Sequence, residues 1–334
     1  MAAVAVAGAA SAQVSITGSL GYGWETSSTG NGPSTKGLKV TDGNVKFSAT
    51  EDLGGGMSVA TAMDIQSRGR DTTIAGRDAS ITLVTGAGGF TLGAVEAGNG
   101  IIGLGGAGAP TIGLDGNAPA TFGPIFTLEP DSTSTETGLV RLSAGTRNLG
   151  VLDSASNVNI AQYSLPVGNG FGISIARIDD TATGEGANPG NVYGATYAMA
   201  GLNAKLDVTQ AKLVNRTRLS ASYDLGSAVI GAGYQTRKPN NATAETLLGK
   251  GTNKQTIIGV AMPVGALTVG LNYATNKNAD DIGANGKGLS NKGTDIGVSY
   301  ALSKRTALYA QMQRVTVGTA EATTTTRFKL KTSF

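Results

Sequence analysis

Apolar and polar residues alternate one for one along most of this chain, and no other feature of the sequence restricts its fold as much. Over the last nine positions Thr326, Phe328, Leu330, Thr332 and Phe334 fall on one side, while Arg327, Lys329, Lys331 and Ser333 fall on the other. A period of two belongs to a strand, whose successive side chains point to opposite faces. The same pattern sets Ile296, Val298, Tyr300 and Leu302 against Asp295, Gly297, Ser299 and Ala301. It recurs with Leu267, Val269, Leu271 and Tyr273 against Thr268, Gly270, Asn272 and Ala274, and with Leu219, Ala221, Tyr223 and Leu225 against Arg218, Ser220, Ser222 and Asp224. A soluble sandwich and a lipid-facing barrel both produce this alternation, so the connections must decide.

Clusters of Gly, Asn, Pro and Ser cut the chain into sixteen runs: 13–24, 40–52, 57–68, 77–86, 89–97, 157–165, 170–179, 191–200, 202–214, 217–225, 227–237, 254–262, 266–276, 293–302, 305–315 and 325–334. Short connections such as Gly54-Gly55-Gly56, Pro263-Val264-Gly265 and Ser303-Lys304 alternate with long ones at 25–39, 180–190, 238–253 and 277–292. That asymmetry is the mark of a bacterial transmembrane barrel, and the even count leaves both termini on the side of the short turns. The connection at 214–217 breaks the rule by being short where a long one is due. All nine prolines, at 33, 110, 119, 124, 130, 166, 189, 239 and 263, are expected in connections, because proline cannot donate to a strand ladder. The fold class read from this pattern is all-β, a 16-stranded antiparallel transmembrane barrel, wide enough to enclose water where eight strands would fill with side chains.

Composition removes competing chemistries. The chain has no His and no Cys, so it can build neither a Ser-His-Asp triad, nor a thiolate nucleophile, nor a zinc site of the usual kind. Neither a catalytic centre, a metal site nor a cofactor is expected. No stretch reaches the ~18 to 20 apolar residues of a transmembrane helix, but barrel strands need only ~9 to 11. The Ala- and Val-rich residues 1–12, ending in Ala10-Ser11-Ala12, read as a truncated signal peptide, with 13–334 as a single barrel domain.

One connection, 98–156, is far longer than an ordinary loop and is therefore functional or disordered. It contains Gly103-Leu104-Gly105-Gly106-Ala107-Gly108, which has the spacing of a dinucleotide fingerprint, but Pro110 and further glycines follow where a helix is required. The run reads as loop, and no nucleic acid or nucleotide partner is expected. No Lys or Arg occurs between Arg77 and Arg141, whereas Asp78, Glu96, Asp115, Glu129, Asp131 and Glu136 do. Residues up to 167 hold 8 basic and 13 acidic groups and the remainder 18 and 10, net −5 and +8. In a barrel this split sets an acidic loop opposite a basic wall, which gives a transverse field in a low-dielectric tube. Rings at strand ends, Trp24, Tyr163, Tyr193, Tyr234, Tyr273, Tyr300 and Phe334 among them, fit interfacial girdles.

Several stretches carry a family likeness: Val14-Ser15-Ile16-Thr17-Gly18, Thr50-Glu51-Asp52-Leu53-Gly54-Gly55-Gly56-Met57, Gly76-Arg77-Asp78-Ala79 with Gly89-Phe90-Thr91-Leu92-Gly93, Tyr300-Ala301-Leu302-Ser303-Lys304-Arg305-Thr306-Ala307-Leu308-Tyr309-Ala310, and the terminal Phe334. In these the chain resembles the trimeric general porins of Gram-negative outer membranes, of the β-proteobacterial type. The resemblance implies a homotrimer in outer-membrane lipid, with a third loop, here 98–156, folded inward as a constriction. It also implies that Phe334 is read by the outer-membrane assembly machinery. The family's usual basic residues are replaced by Asn44, Ala94 and Ser333, so part of its arginine cluster is missing, with Lys46, Arg141 and Arg147 among the substitutes. The acidic side of the constriction is expected from Glu96, Asp115, Glu129 and Asp131, and the basic wall from Lys46, Lys205, Arg218, Arg327, Lys329 and Lys331. The expected function is passive diffusion of small hydrophilic solutes and ions, weakly favouring anions. A plugged structural or adhesive barrel and a barrel hydrolase are the competing readings.

Overall fold

Where glycine and small polar residues interrupt the alternation, the chain turns back on itself. A computed structural model describes residues 13–66, 75–96, 157–180, 189–212, 214–242, 245, 251–277, 290–316 and 319–334. Sixteen strands run through the described residues. They are β1 (Gln13–Thr29), β2 (Thr35–Gly54), β3 (Met57–Gln66), β4 (Ala75–Thr85), β5 (Gly88–Glu96), β6 (Asn157–Gly168), β7 (Phe171–Asp180) and β8 (Gly190–Met199). The second half adds β9 (Leu202–Ala211), β10 (Val214–Asp224), β11 (Val229–Pro239), β12 (Asn253–Val264), β13 (Leu267–Lys277), β14 (Ser290–Ala301), β15 (Thr306–Thr316) and β16 (Thr323–Ser333). Each strand pairs antiparallel with its neighbours in sequence, and β1 pairs with β16 to close the barrel. Among the described strands closure leaves no unpaired edge, which lipid would not tolerate.

The faces settle what the alternation left open. Phe328 and Ile258 are each 52 % exposed, while Asp295 is 0 % and Arg216 1 % exposed. A soluble protein hides its apolar face and wets its charges. Here the order is reversed, as a barrel with lipid outside requires.

Every expected strand is present, with ends shifted by a few residues. The largest change is at the first hairpin, where β1 and β2 run on in register from Trp24↔Leu38 to Ser27↔Thr35, so the connection shrinks to 30–34. On the β1 side of that extension Thr26, Ser27, Ser28 and Thr29 suit a strand as well as a loop. The proline expectation fails at three positions, because Pro166, Pro239 and Pro263 lie inside β6, β11 and β12. All three sit in the last residues of their strands, and Pro166 coincides with a register shift, positions where a missing donor costs little. The irregular connection between β9 and β10 is residues 212–213. It is buttressed from the end of β11, where Asn240 Nδ2 donates to Ala211 O at 2.8 Å and to Asn215 Oδ1 at 3.0 Å. Residues 1–12 and 97–156 lie outside the described residues, so the expectations of a signal peptide and a constriction loop fall there.

Candidate functional site

The inward positions follow from register. On β9 and β10 the residues Lys205, Asp207, Thr209, Arg216, Arg218, Ser220 and Ser222 are buried, and the intervening Leu206, Leu219 and Tyr223 are exposed. Arg218 pairs across the ladder with Asp207, Ser220 with Lys205 and Arg216 with Thr209. Arg216 Nη2 reaches Asp207 Oδ1 and Thr209 Oγ1, each at 3.3 Å, and both members of the ion pair have fully buried side chains. A cation so placed needs such a partner, because desolvation otherwise outweighs what the fold gains. Lys205 and Arg218 flank the pair on the same wall.

On the opposite side of the barrel, at the chain closure, a hydrogen-bonded row crosses five strands. Arg327 Nε on β16 donates to Glu25 Oε2 on β1, and its Nη1 to Gln311 Oε1 on β15 at 3.5 Å. Gln311 Nε2 donates to Asp295 Oδ1 on β14 at 3.1 Å, and Asn272 Nδ2 on β13 to Asp295 Oδ2 at 3.5 Å. Below it Lys329 and Lys331 stand opposite Gly23 and Gly21. The glycine is required, since a Cβ on Gly23 would lie 2.8 Å from Lys329 Cβ and 2.3 Å from Phe328 O. Lys329 Nζ sits 5.1 Å from the centroid of the Tyr309 ring, within cation–π range. Above the row the seam carries hydroxyl pairs, Ser27 with Thr325 at 3.1 Å and Thr29 with Thr323 at 2.8 Å.

All six expected basic residues thus occupy lumen-facing register positions. Lys46 does so on β2, opposite Asp64 of β3 and one rung from the Ser19–Asn44 hydrogen bond. They do not form one cluster. Lys205 and Arg218 line one wall, Arg327, Lys329 and Lys331 line the seam, and Lys46 stands beyond the seam on β2. On the acidic side Glu96 ends β5, where its backbone pairs with Asn157, and its side chain is outside the described residues, as are Asp115, Glu129 and Asp131. Sequence reasoning missed Glu25, Asp64, Asp207, Arg216 and Asp295. Parity carried the signal, since Glu25 shares its face with Gly21 and Gly23, and Arg216 shares its face with Arg218.

Such a lumen can orient and sort charged solutes. Among the described residues no group of three or more His, Cys, Asp and Glu side chains could hold a metal. The inward face of β6–β8 differs from the rest, with Ile160, Ala176, Ile178 and Val192 buried there.

The sequence profile of a family described as Gram-negative porin matches residues 1–320. Solved structures share the fold over nearly the whole chain. The anion-selective porin from Comamonas acidovorans is 20 % identical with a TM-score of 0.72, covering 97 % of this chain and 100 % of its own. Salmonella typhi OmpF in complex with daunomycin is 12 % identical with a TM-score of 0.69, covering 96 % and 97 %. OmpT of Vibrio cholerae in its trimer form is 12 % identical with a TM-score of 0.64, covering 97 % and 99 %. No curated protein matches the chain by sequence.

Proposed function

Because the chain belongs to the Gram-negative porin family, and is therefore an outer-membrane channel rather than an enzyme, we propose that small hydrophilic solutes and ions diffuse passively through its lumen with a weak preference for anions. The observation that carries the preference is the charge on the described wall. Lys46, Lys205, Arg216, Arg218, Arg327, Lys329 and Lys331 face inward against Glu25, Asp64, Asp207 and Asp295. Seven cations against four carboxylates leave the described wall net positive, which sets the sign of its field. The anion selectivity in the name of the Comamonas porin supports the same sign.

We further propose that the segment 98–156 folds inward and sets Asp115, Glu129 and Asp131, with Glu96 just before it, across from the basic wall. Two observations favour this. Its charge is opposite to that of Lys205, Arg216 and Arg218, and Ile178 and Val192 are fully buried at positions that a wetted wall would leave open to water. The protein is a homotrimer. Supporting this, the outward face of β1–β5 is an apolar depression rich in small residues, lined by Val14, Ala49, Met63, Ala79, Ile81 and Ala94 among others, a surface fit for close approach of another barrel. The trimer form of the Vibrio cholerae structure is consistent with it. Phe334, exposed at the seam, is the mark recognised by the assembly machinery.

Planar-bilayer recording tests the reading. Stepwise conductance with a reversal potential of anionic sign across a KCl gradient is expected, and the absence of steps at every voltage would leave a plugged barrel instead. Cross-linking in mild detergent reads the oligomeric state.

A further inference from the structure

We infer that the outer surface of β11–β15, at the end carrying the long connections, binds the phosphate groups of an anionic lipid in the outer leaflet. The inference rests on the outer-membrane placement derived above and is independent of whether the lumen conducts.

Each of these five strands presents one exposed cation there: Lys238, Lys254, Lys277, Lys292 and Arg314. Each shares the parity of an exposed apolar residue on its own strand, Tyr234, Ile258, Tyr273, Ile296 and Met312, so all five project away from the lumen. The register makes them neighbours. Lys254 is directly opposite Lys277. Lys292 pairs with Thr275, two residues from Lys277, and Arg314 pairs with Thr294, two residues from Lys292. Lys254 pairs with Thr236, two residues from Lys238. Opposed side chains lie about 5 Å apart and diagonal ones about 7 to 8 Å, so the row is a continuous band of like charge that destabilises the sheet unless anions occupy it.

In the lumen Arg216 and Arg327 are paired with carboxylates, yet the described outward positions of β11–β15 contain none. Beyond the band β8, β9 and β10 present the neutral amides Asn191, Gln210 and Asn215, which pair in series from Lys238 to the outward Arg177 of β7, whose Nη1 donates to Asn191 Oδ1 at 3.2 Å. Moving toward the membrane centre, the cations give way to Thr236, Thr256, Thr275 and Thr294 and then to the apolar residues. That order of cation, hydroxyl and hydrocarbon matches phosphate, polar headgroup and acyl chain in a lipid standing beside the strand. Lysines that merely reach for water would need neither a directly opposed pair nor one cation on each of five adjacent strands.

The test uses the full-length protein in phosphatidylcholine nanodiscs containing either diphosphorylated lipid A or lipid A stripped of its phosphates, with bound lipid read by native mass spectrometry. Preferential retention of the phosphorylated form is expected, weakened about thirtyfold in the variant with Lys254→Gln and Lys277→Gln, given the surface contribution of each removed charge. Heat-modifiable gel mobility establishes that the variant barrel is closed. Should a variant fail that check, Lys292→Gln alone is read, with a loss of about fivefold expected. Equal retention of the two lipids, or retention unaffected by the substitutions, overturns the inference. So does competition by inorganic phosphate alone, which would make the band a general anion site. Conductance of the unaltered protein, recorded in parallel, reports separately on the channel reading.

Discussion

Glu25 on β1 and Arg327 on β16 are 302 positions apart in the chain and face each other across the barrel seam, with the arginine Nε donating to the carboxylate Oε2. The pair joins the first strand to the last inside the lumen, where Asp295 and Gln311 extend it over neighbouring strands. Removing the acid frees a cation without creating a cavity. Glu25→Gln is therefore expected to raise anion over cation permeability roughly twofold, the effect of about one unit charge at ~8 Å in water. Arg327→Gln leaves Glu25 and Asp295 in place and shifts the ratio the other way. Reversal potentials in a KCl gradient measure both.

Lys329 and Lys331 stand opposite Gly23 and Gly21 on one side of the ladder and Tyr309 and Ala307 on the other. Replacing both with glutamate changes the local charge by about four units. The reversal potential is expected to change sign, with the permeability ratio moving about tenfold at low salt and less at high salt, where the Debye length falls to ~3 Å. Persistence of an anionic sign would place the selectivity elsewhere on the wall.

The barrel itself was legible because a period of two survives in nearly every strand and the turns carry glycine. Lumen lysines were legible for the same reason, since parity alone puts Lys329 and Lys331 on the face opposite Phe328 and Leu330. What parity cannot supply is which rungs meet across distant strands. The Glu25–Arg327 pair depends on the register of β1 against β16, and that is fixed only when the barrel closes. Proline misled at Pro166, Pro239 and Pro263, because the rule excluding it from ladders weakens at strand ends. The outward cations of β11–β15 were hidden by treating positive charge as one pool, when alternation divides it between lumen and lipid.

Asp207 and Arg216 are both fully buried and held at 3.3 Å. Asp207→Asn keeps the shape and withdraws the charge, so the guanidinium loses its ionic partner in a site from which water is excluded. A loss of about 3 kcal/mol in unfolding free energy is expected, of which the double variant with Arg216→Gln should recover a part. Urea unfolding from lipid vesicles followed by gel mobility gives the three values for the cycle.

The two-residue turn between β8 and β9 holds Ala200 at φ 51° and Gly201 at φ 80°. Consecutive positive angles define the hairpin turn that favours Asn-Gly, and alanine in the left-handed region costs about 1 kcal/mol. Ala200→Asn is expected to raise stability by about that amount, and Ala200→Val to lower it, in the same urea assay.

At the periplasmic end of the seam Gly18 and Phe334 exchange backbone hydrogen bonds of 3.1 and 3.0 Å, beyond the last residue of β16. A Cβ on Gly18 would stand 2.5 Å from Phe334 Cζ and 2.5 Å from the backbone oxygen of Asn44. The ring can swing away, but the carbonyl on β2 cannot, so a bulky residue must part β1 from one of its two neighbours. Gly18→Leu is expected to lower the closed fraction several-fold on refolding into vesicles, read as heat-modifiable mobility, in an assay that needs no assembly machinery. Phe334→Ala in the Gly18→Ala background relieves the ring contact and leaves the carbonyl contact, so it should restore part of the closed fraction lost by Gly18→Ala alone. Full closure of Gly18→Leu would show that the seam does not depend on this approach.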